Sequence, residues 1–217
     1  MQYSTIFLAV ASLVPSTFAS PIAAPAVVHP ANNNTFSAAA APRFISGPCG
    51  NFPKISTWLS FEDMFNRNKN SMFSTGDTGE DVGRIWNAVI EAAKIGVDER
   101  VIFGIIMQES HGNVGVETTI SPDGVPTAGL MQCSGCQGFP GQHGLSQDQI
   151  TAMVRGGTQH FKANLQNWGN ALSECSIYPA LREYNSGSVN PNDLSDGRGA
   201  TASYVSDISQ RLTGWVD

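Results

Sequence analysis

The chain has 217 residues, a formal net charge of −6 and a pI near 5.1, with no basic run, so it is not built to hold nucleic acid or an anionic membrane surface. After the first twenty residues no stretch approaches the roughly 18 uncharged apolar residues that span a bilayer, which excludes a membrane-spanning protein.

Residues 1–20 read as a secretory signal peptide. The apolar run from Ile6 to Val14 is too short to span, and it ends in small residues around Thr17, Ala19 and Ser20, with cleavage expected after Ala19 or Ser20. No Lys or Arg precedes the run, so the amino terminus alone supplies the positive end. The protein is therefore expected to be secreted. Residues 21–47 are rich in Ala, Pro, Ser and Asn, and no charged residue occurs before Arg43, which predicts a flexible linker or pro-segment. Asn33-Asn34-Thr35 is an N-glycosylation sequon. Residues 48–217 are long enough for one domain with its own core.

Within that domain the apolar spacing is mostly helical. A weak pattern spans Trp58 to Asn68. From Asp81 to Ile95, Val82, Ile85, Trp86, Val89, Ile90 and Ala93 form one stripe, with Thr78 before it and Gly96 after it. Asp98 can cap a helix reaching about Ser110, with Ile102, Ile105 and Ile106 on one face. Ser146-x-x-Gln149 is a capping box that opens a helix through Ile150, Met153, Val154, Phe161 and Leu165, interrupted by Gly156-Gly157. Pro179 suits the first turn of a short helix ending near Asn185. A last helix covers about Thr201 to Leu212, with Tyr204, Val205, Ile208 and Leu212 at helical spacing. Gly-, Pro- and Ser-rich loops fill 112–128, 135–144 and 186–199, and there is no repeat and little strand-like alternation. The predicted fold class is mainly α with long loops.

Four cysteines, Cys49, Cys133, Cys136 and Cys175, argue for two disulfides in an exported chain, with three pairings open. A zinc site on Cys133-x-x-Cys136 is disfavoured because no second Cys/His pair stands at ligand spacing, and a redox motif lacks its βαβ setting. His29, His111, His143 and His160 are too dispersed to suggest ligands, so no metal or cofactor is expected; His111 reads as a solvated loop histidine.

Glu109 is the residue with chemical promise. It follows Ile105 by four positions and Ile102 by seven, so it projects from the apolar face of its helix. It also falls in the last turn, where the helix dipole disfavours negative charge. Both effects favour the neutral acid, the state a proton donor needs. Position alone fits a surface Glu at a fraying helix end equally well. A nucleophilic role for Ser110 is discounted, because Gln-Glu-Ser-His-Gly lacks the first glycine of the Gly-x-Ser-x-Gly elbow.

Four short motifs follow in order: Glu109-Ser110, then Gly129-Leu130-Met131-Gln132, then Tyr184-Asn185-Ser186-Gly187, then Tyr204-Val205. This order and spacing resemble the lytic-transglycosylase branch of the lysozyme-like superfamily, which also holds goose-type lysozyme (glycoside hydrolase family 23-like). The resemblance covers residues 80–212. It implies a lysozyme-like helical domain with long loops around a substrate groove, acting as a monomer on a polysaccharide. The expected substrate bond is the β-1,4 MurNAc–GlcNAc bond of peptidoglycan. Glu109 would be the catalytic acid and later base, and Tyr204 would hydrogen-bond it. Ser110 would contact substrate or steady the acid. Gly129, Leu130, Met131 and Gln132 would form the groove floor, with backbone amides and Gln132 gripping the sugar, Tyr184 would hydrogen-bond near the reacting centre, and Asn185 would read an N-acetyl group.

A glycosidase usually has two carboxylates, roughly 5 Å apart for retention or 6.5 to 9.5 Å for inversion. No second acid stands at an obvious spacing from Glu109; Glu117, Asp123, Asp193 and Asp196 are loop candidates that read as solvated charges. Lytic transglycosylases work with one Glu, the substrate's N-acetyl group assisting and its 6-hydroxyl closing an anhydro ring, whereas goose-type lysozymes recruit an Asp to place water. The chain departs from bacterial members in a longer loop from Ser110 to Gly129 without their Asn-Pro, and in Cys133 and Cys136 directly after the Gly-Leu-Met-Gln. With the uncharged lead-in, these features look more like a eukaryotic, fungal secreted protein aimed at foreign bacteria. Two alternatives stay open: a chitin- or chitosan-cleaving enzyme of the same superfamily, and a non-catalytic glycan-binding effector.

Overall fold

Four polar side chains placed just ahead of apolar runs start the first four helices. Ser60 accepts the Asp63 amide at 3.1 Å and opens α1 (Phe61–Ser74). Thr78 and Asp81 exchange the two bonds of a capping box at the start of α2 (Gly79–Ala93). Asp98 accepts the Arg100 amide at 2.9 Å and opens α3 (Glu99–Ser110). Ser146 and Gln149 form the second box, at α4 (Gln147–Asn167). Each cap is worth about 1 kcal/mol, because it satisfies amides that a helix start leaves unpaired. Two further helices, α5 (Glu174–Ser186) and α6 (Tyr204–Leu212), begin without a side-chain cap. This computed structural model describes residues 43–121 and 124–217; the expected signal peptide, the Asn33 sequon, most of the linker and Asp123 lie outside the described residues.

The protein is mainly helical, with six α-helices among the described residues and two 3-10 turns, Cys49–Asn51 and Ile55–Thr57, ahead of them. Between α3 and α4 lies a small antiparallel sheet that the sequence did not announce. Its strands, β1 (Thr119–Ile120), β2 (Pro126–Ala128) and β3 (Cys133–Ser134), pair in the order 1-2-3, with Thr119 opposite Thr127 and Ala128 opposite Cys133. Strands of two or three residues are too short for alternation to register.

Several boundaries differ from expectation. α1 starts at Phe61 rather than Trp58 and runs on to Ser74. α5 begins at Glu174, so Pro179 sits inside it rather than in its first turn. That first turn is held from outside: Cys175 is bonded to Cys49, and Glu174 accepts the Ile55 amide at 3.0 Å. α6 begins at Tyr204 rather than Thr201, whose carbonyl is engaged by Arg182 at 2.9 Å. α4 runs unbroken through Gly156-Gly157, where the missing side chains serve packing. A Cβ on Gly157 would lie 2.6 Å from the Met131 sulfur, and one on Gly156 would lie 3.2 Å from the Cys136 sulfur. Ile90, expected on the apolar stripe of α2, is exposed.

The core is built around α3, whose Val101, Ile102, Phe103, Ile105, Ile106 and Met107 are all buried. A helix apolar on nearly every side has to be surrounded, and here α1, α2, α4 and α6 do so. Phe61, Phe65, Trp86 and Phe103 stack with ring centroids 4.5 to 5.8 Å apart. Gly104 lets α6 come close to α3; a Cβ there would stand 3.2 Å from Ile208 Cγ2. The disulfides are Cys49–Cys175 and Cys133–Cys136, the latter removing the thiolates a zinc site would need. Among the described residues no helix is long and apolar enough to cross a membrane.

Candidate active site

The close packing of α3 and α6 delivers two side chains to each other. Glu109, in the last turn of α3, accepts a 2.6 Å hydrogen bond at Oε1 from the Tyr204 hydroxyl, the first residue of α6. Tyr204 is buried, while Glu109 keeps partial exposure. Burial pushes the Glu109 carboxyl up from its ordinary 4.5 to about 7, the Tyr204 hydrogen bond pulling the other way. Near neutral pH it is therefore divided between acid and carboxylate, as a group that gives and takes a proton needs to be.

A second tyrosine lies close enough to feel the Glu109 charge. The Tyr184 hydroxyl, on α5, donates to the Met131 carbonyl at 2.7 Å, and its ring packs 5.0 Å from His160 and 6.2 Å from Phe161, both on α4. Burial, then the nearby Glu109 charge, raises both tyrosines well above the usual 10, so they remain hydrogen-bond donors. Burial likewise lowers His160, which favours a neutral ring.

The motif residues are brought together, with a division of labour the sequence did not show. Ser110 is buried, and its Oγ lies 2.8 Å from the Leu130 carbonyl and 3.0 Å from the Ile106 carbonyl while accepting the Gly112 amide. It ties the helix end that carries Glu109 to the 129–132 segment and does not face solvent. Leu130 and Met131 turn their side chains fully into the core, so only the backbone of this stretch can face a ligand. Gly129 is required twice over: its φ is +74°, and a Cβ would collide with the Gln137 carbonyl. Gln132, at φ 44°, donates to the Gly129 and Glu117 carbonyls at 3.1 and 3.2 Å and accepts from Thr119 Oγ1 at 2.9 Å. Its amide locks the sheet to the segment. Asn185 accepts at Oδ1 from Arg182, leaving Nδ2 available.

Arg182 is the residue that sequence reasoning missed. It is fully buried, donates to Thr201 O at 2.9 Å and to Ser186 Oγ at 3.2 Å, and lies 5.9 Å over the Tyr204 ring. It thus fixes Asn185 and Tyr204 together. Its one sequence signal is its place next to the buried row Tyr178–Leu181, a weak hint for a charged residue. His111 differs from a free loop histidine: it caps α3 at φ 53° with Nε2 3.0 Å from Asp217, which Arg211 grips at 2.7 and 2.8 Å.

Of the acids considered as partners of Glu109, Asp193 and Asp196 are engaged in shaping the 186–199 loop. Asp193 Oδ1 accepts from Gly47 at 2.9 Å and from Ser195, whose hydroxyl holds the carboxyl below its usual range. Asp196 contacts Asn190 at 3.2 Å and Arg198 at 3.6 Å. Glu117 is exposed. Fold and site together define a mainly helical, disulfide-bonded domain carrying a desolvated carboxyl aligned by a tyrosine. No protein-family model matches the chain, and no curated protein matches it.

Proposed function

We propose that this is a secreted glycan-cleaving enzyme of the lysozyme-like, lytic-transglycosylase kind, in which Glu109 is the general acid/base. The observation that carries the reading is the Glu109 carboxyl, desolvated to about 7 and held at 2.6 Å by Tyr204. The neutral acid protonates the glycosidic oxygen of a β-1,4 MurNAc–GlcNAc bond, and the resulting carboxylate then removes a proton from the attacking hydroxyl. Tyr204 holds the carboxyl in one rotamer through both steps and supplies hydrogen-bond stabilisation when it is ionised. Among the described residues burial and Tyr204 govern the Glu109 carboxyl, which favours the substrate's own N-acetyl group, met by Asn185 Nδ2, as the second participant. Two disulfides suit an oxidising extracellular setting.

Mass spectrometry of purified peptidoglycan treated with the wild type and with Glu109→Gln tests this directly. Anhydro-muropeptides from the wild type alone are expected. Products carrying an added water would make the enzyme a lysozyme, and no products from either protein would sink the peptidoglycan reading and turn attention to chitin oligomers and to binding.

A further inference from the structure

The loop before α2, the first turn of α2 and the loop before α4 bring three metal-ligating side chains together. Asp77, Asp81 and His143 offer ligand atoms that all lie within 4.8 Å of one another. We propose that they bind a divalent transition-metal ion of the zinc type, and that this ion staples the 113–116 and 141–145 loops to the start of α2.

The Asp77 side chain is fully inaccessible. Its Oδ1 accepts the Val114 amide at 3.1 Å and lies 3.3 Å from His143 Nδ1, while Oδ2 is buried without a hydrogen-bond partner. A buried, unpartnered carboxylate oxygen is costly, and a cation is the partner that removes the cost. Asp81 is also fully buried. Its Oδ2 is occupied by Thr78 and the Gly144 amide, but Oδ1 accepts only the Leu145 amide, at 3.1 Å, and keeps a lone pair. The His143 side chain is 34% exposed, so its ring can turn to close the triangle and leaves a path for an ion and its water ligand.

Charge and geometry agree. Two buried carboxylates and one imidazole converge there, an arrangement a dication suits. Zinc bonds of about 2.0–2.1 Å in a tetrahedron put ligand atoms about 3.3–3.4 Å apart; the three ligand atoms already lie within 4.8 Å of one another, so a turn of the part-exposed His143 ring closes them onto an ion. The imidazole selects zinc-type ions over calcium or magnesium, which prefer all-oxygen shells.

The test is calorimetric titration of the full chain, stripped with chelator, with zinc chloride near neutral pH. One ion per chain is expected, with a rise in thermal midpoint that chelator reverses. Asp77→Asn, which keeps the shape, and His143→Ala should each weaken binding at least tenfold. Cobalt(II) absorption on the wild type gives a second readout independent of either variant's folding: a band typical of low coordination with nitrogen and oxygen ligands is expected. No uptake by the wild type, an octahedral aqua-like cobalt spectrum, or unchanged affinity in both variants would overturn the site and leave Asp77–His143 as a plain ion pair.

Discussion

At the residue scale, Glu109 trades stability for proton affinity. A carboxyl standing near 7 in the folded chain and near 4.5 in the unfolded one binds more protons folded than unfolded between those values. Stability therefore falls as pH rises through that window, by up to about 3 kcal/mol in total. Glu109→Gln removes the ionisation, so it should match wild type in denaturant midpoint near pH 4 and exceed it by about 1–3 kcal/mol at pH 8, while losing glycan cleavage by about 100-fold or more. A variant no more stable at pH 8 than at pH 4, relative to wild type, would show that the carboxyl is not desolvated. Tyr204→Phe isolates the other influence. The hydroxyl favours the charged carboxylate, so its loss should move the alkaline limb of the activity profile to higher pH, and cleavage should fall about tenfold as the carboxyl loses its fixed orientation. An unshifted limb would mean the bond does not hold in solution. Glu109 was singled out by helical spacing together with the order of the motifs that follow it, since position alone fits a surface Glu equally well. Arg182 was not, since its place beside the buried row Tyr178–Leu181 only weakly separates an arginine that ties Asn185, Ser186 and Thr201 together from one that lies on the surface.

At the element scale, the site depends on how closely α4 approaches the segment between β2 and β3. Gly157 sits mid-helix, where alanine would normally stabilise by about 1 kcal/mol. Here a Cβ would fall on the Met131 side chain, its sulfur only 2.6 Å away, and Met131 O is the acceptor for Tyr184. Gly157→Ala is therefore expected to destabilise by about 1–3 kcal/mol in a denaturant titration and to lower cleavage with it, against its helix propensity. A stabilised, fully active Gly157→Ala would refute this packing account. The same contact explains why the glycine pair misled: read along the chain it looks like a break, but its cause lies on another element. Helix starts were legible because Thr78, Asp98 and Ser146 act on amides two or three residues away. The sheet was not, because strands of two or three residues carry no alternation and their pairing joins residues up to eight positions apart. The Asp77–His143 pairing spans 66 residues and left no local trace.

At the scale of the whole molecule, the two disulfides do different work, and chain entropy says which. Cys49–Cys175 joins the first turn to α5 across a sequence separation of 126, whereas Cys133–Cys136 spans a separation of 3. Closing the long loop in the unfolded chain removes conformations worth roughly 5 kcal/mol in the entropic account, with about 2–5 kcal/mol the usual experimental range. Closing the short one removes far less. Cys49→Ala with Cys175→Ala should thus lower the thermal midpoint by about 10 °C at most modest loss of cleavage at 25 °C, because neither residue lies near Glu109 in the described contacts. Cys133→Ser with Cys136→Ser should do the opposite. The turn it frees follows Gln132 directly and packs on Gly156, so cleavage should drop several-fold while the midpoint moves by only a few degrees. Differential scanning calorimetry and product assays on both double variants separate the outcomes. Equal loss of midpoint in the two would mean that the long crosslink acts through folded-state contacts rather than through the unfolded chain, and unchanged cleavage in the second would free the 133–136 turn from any part in the proposed activity.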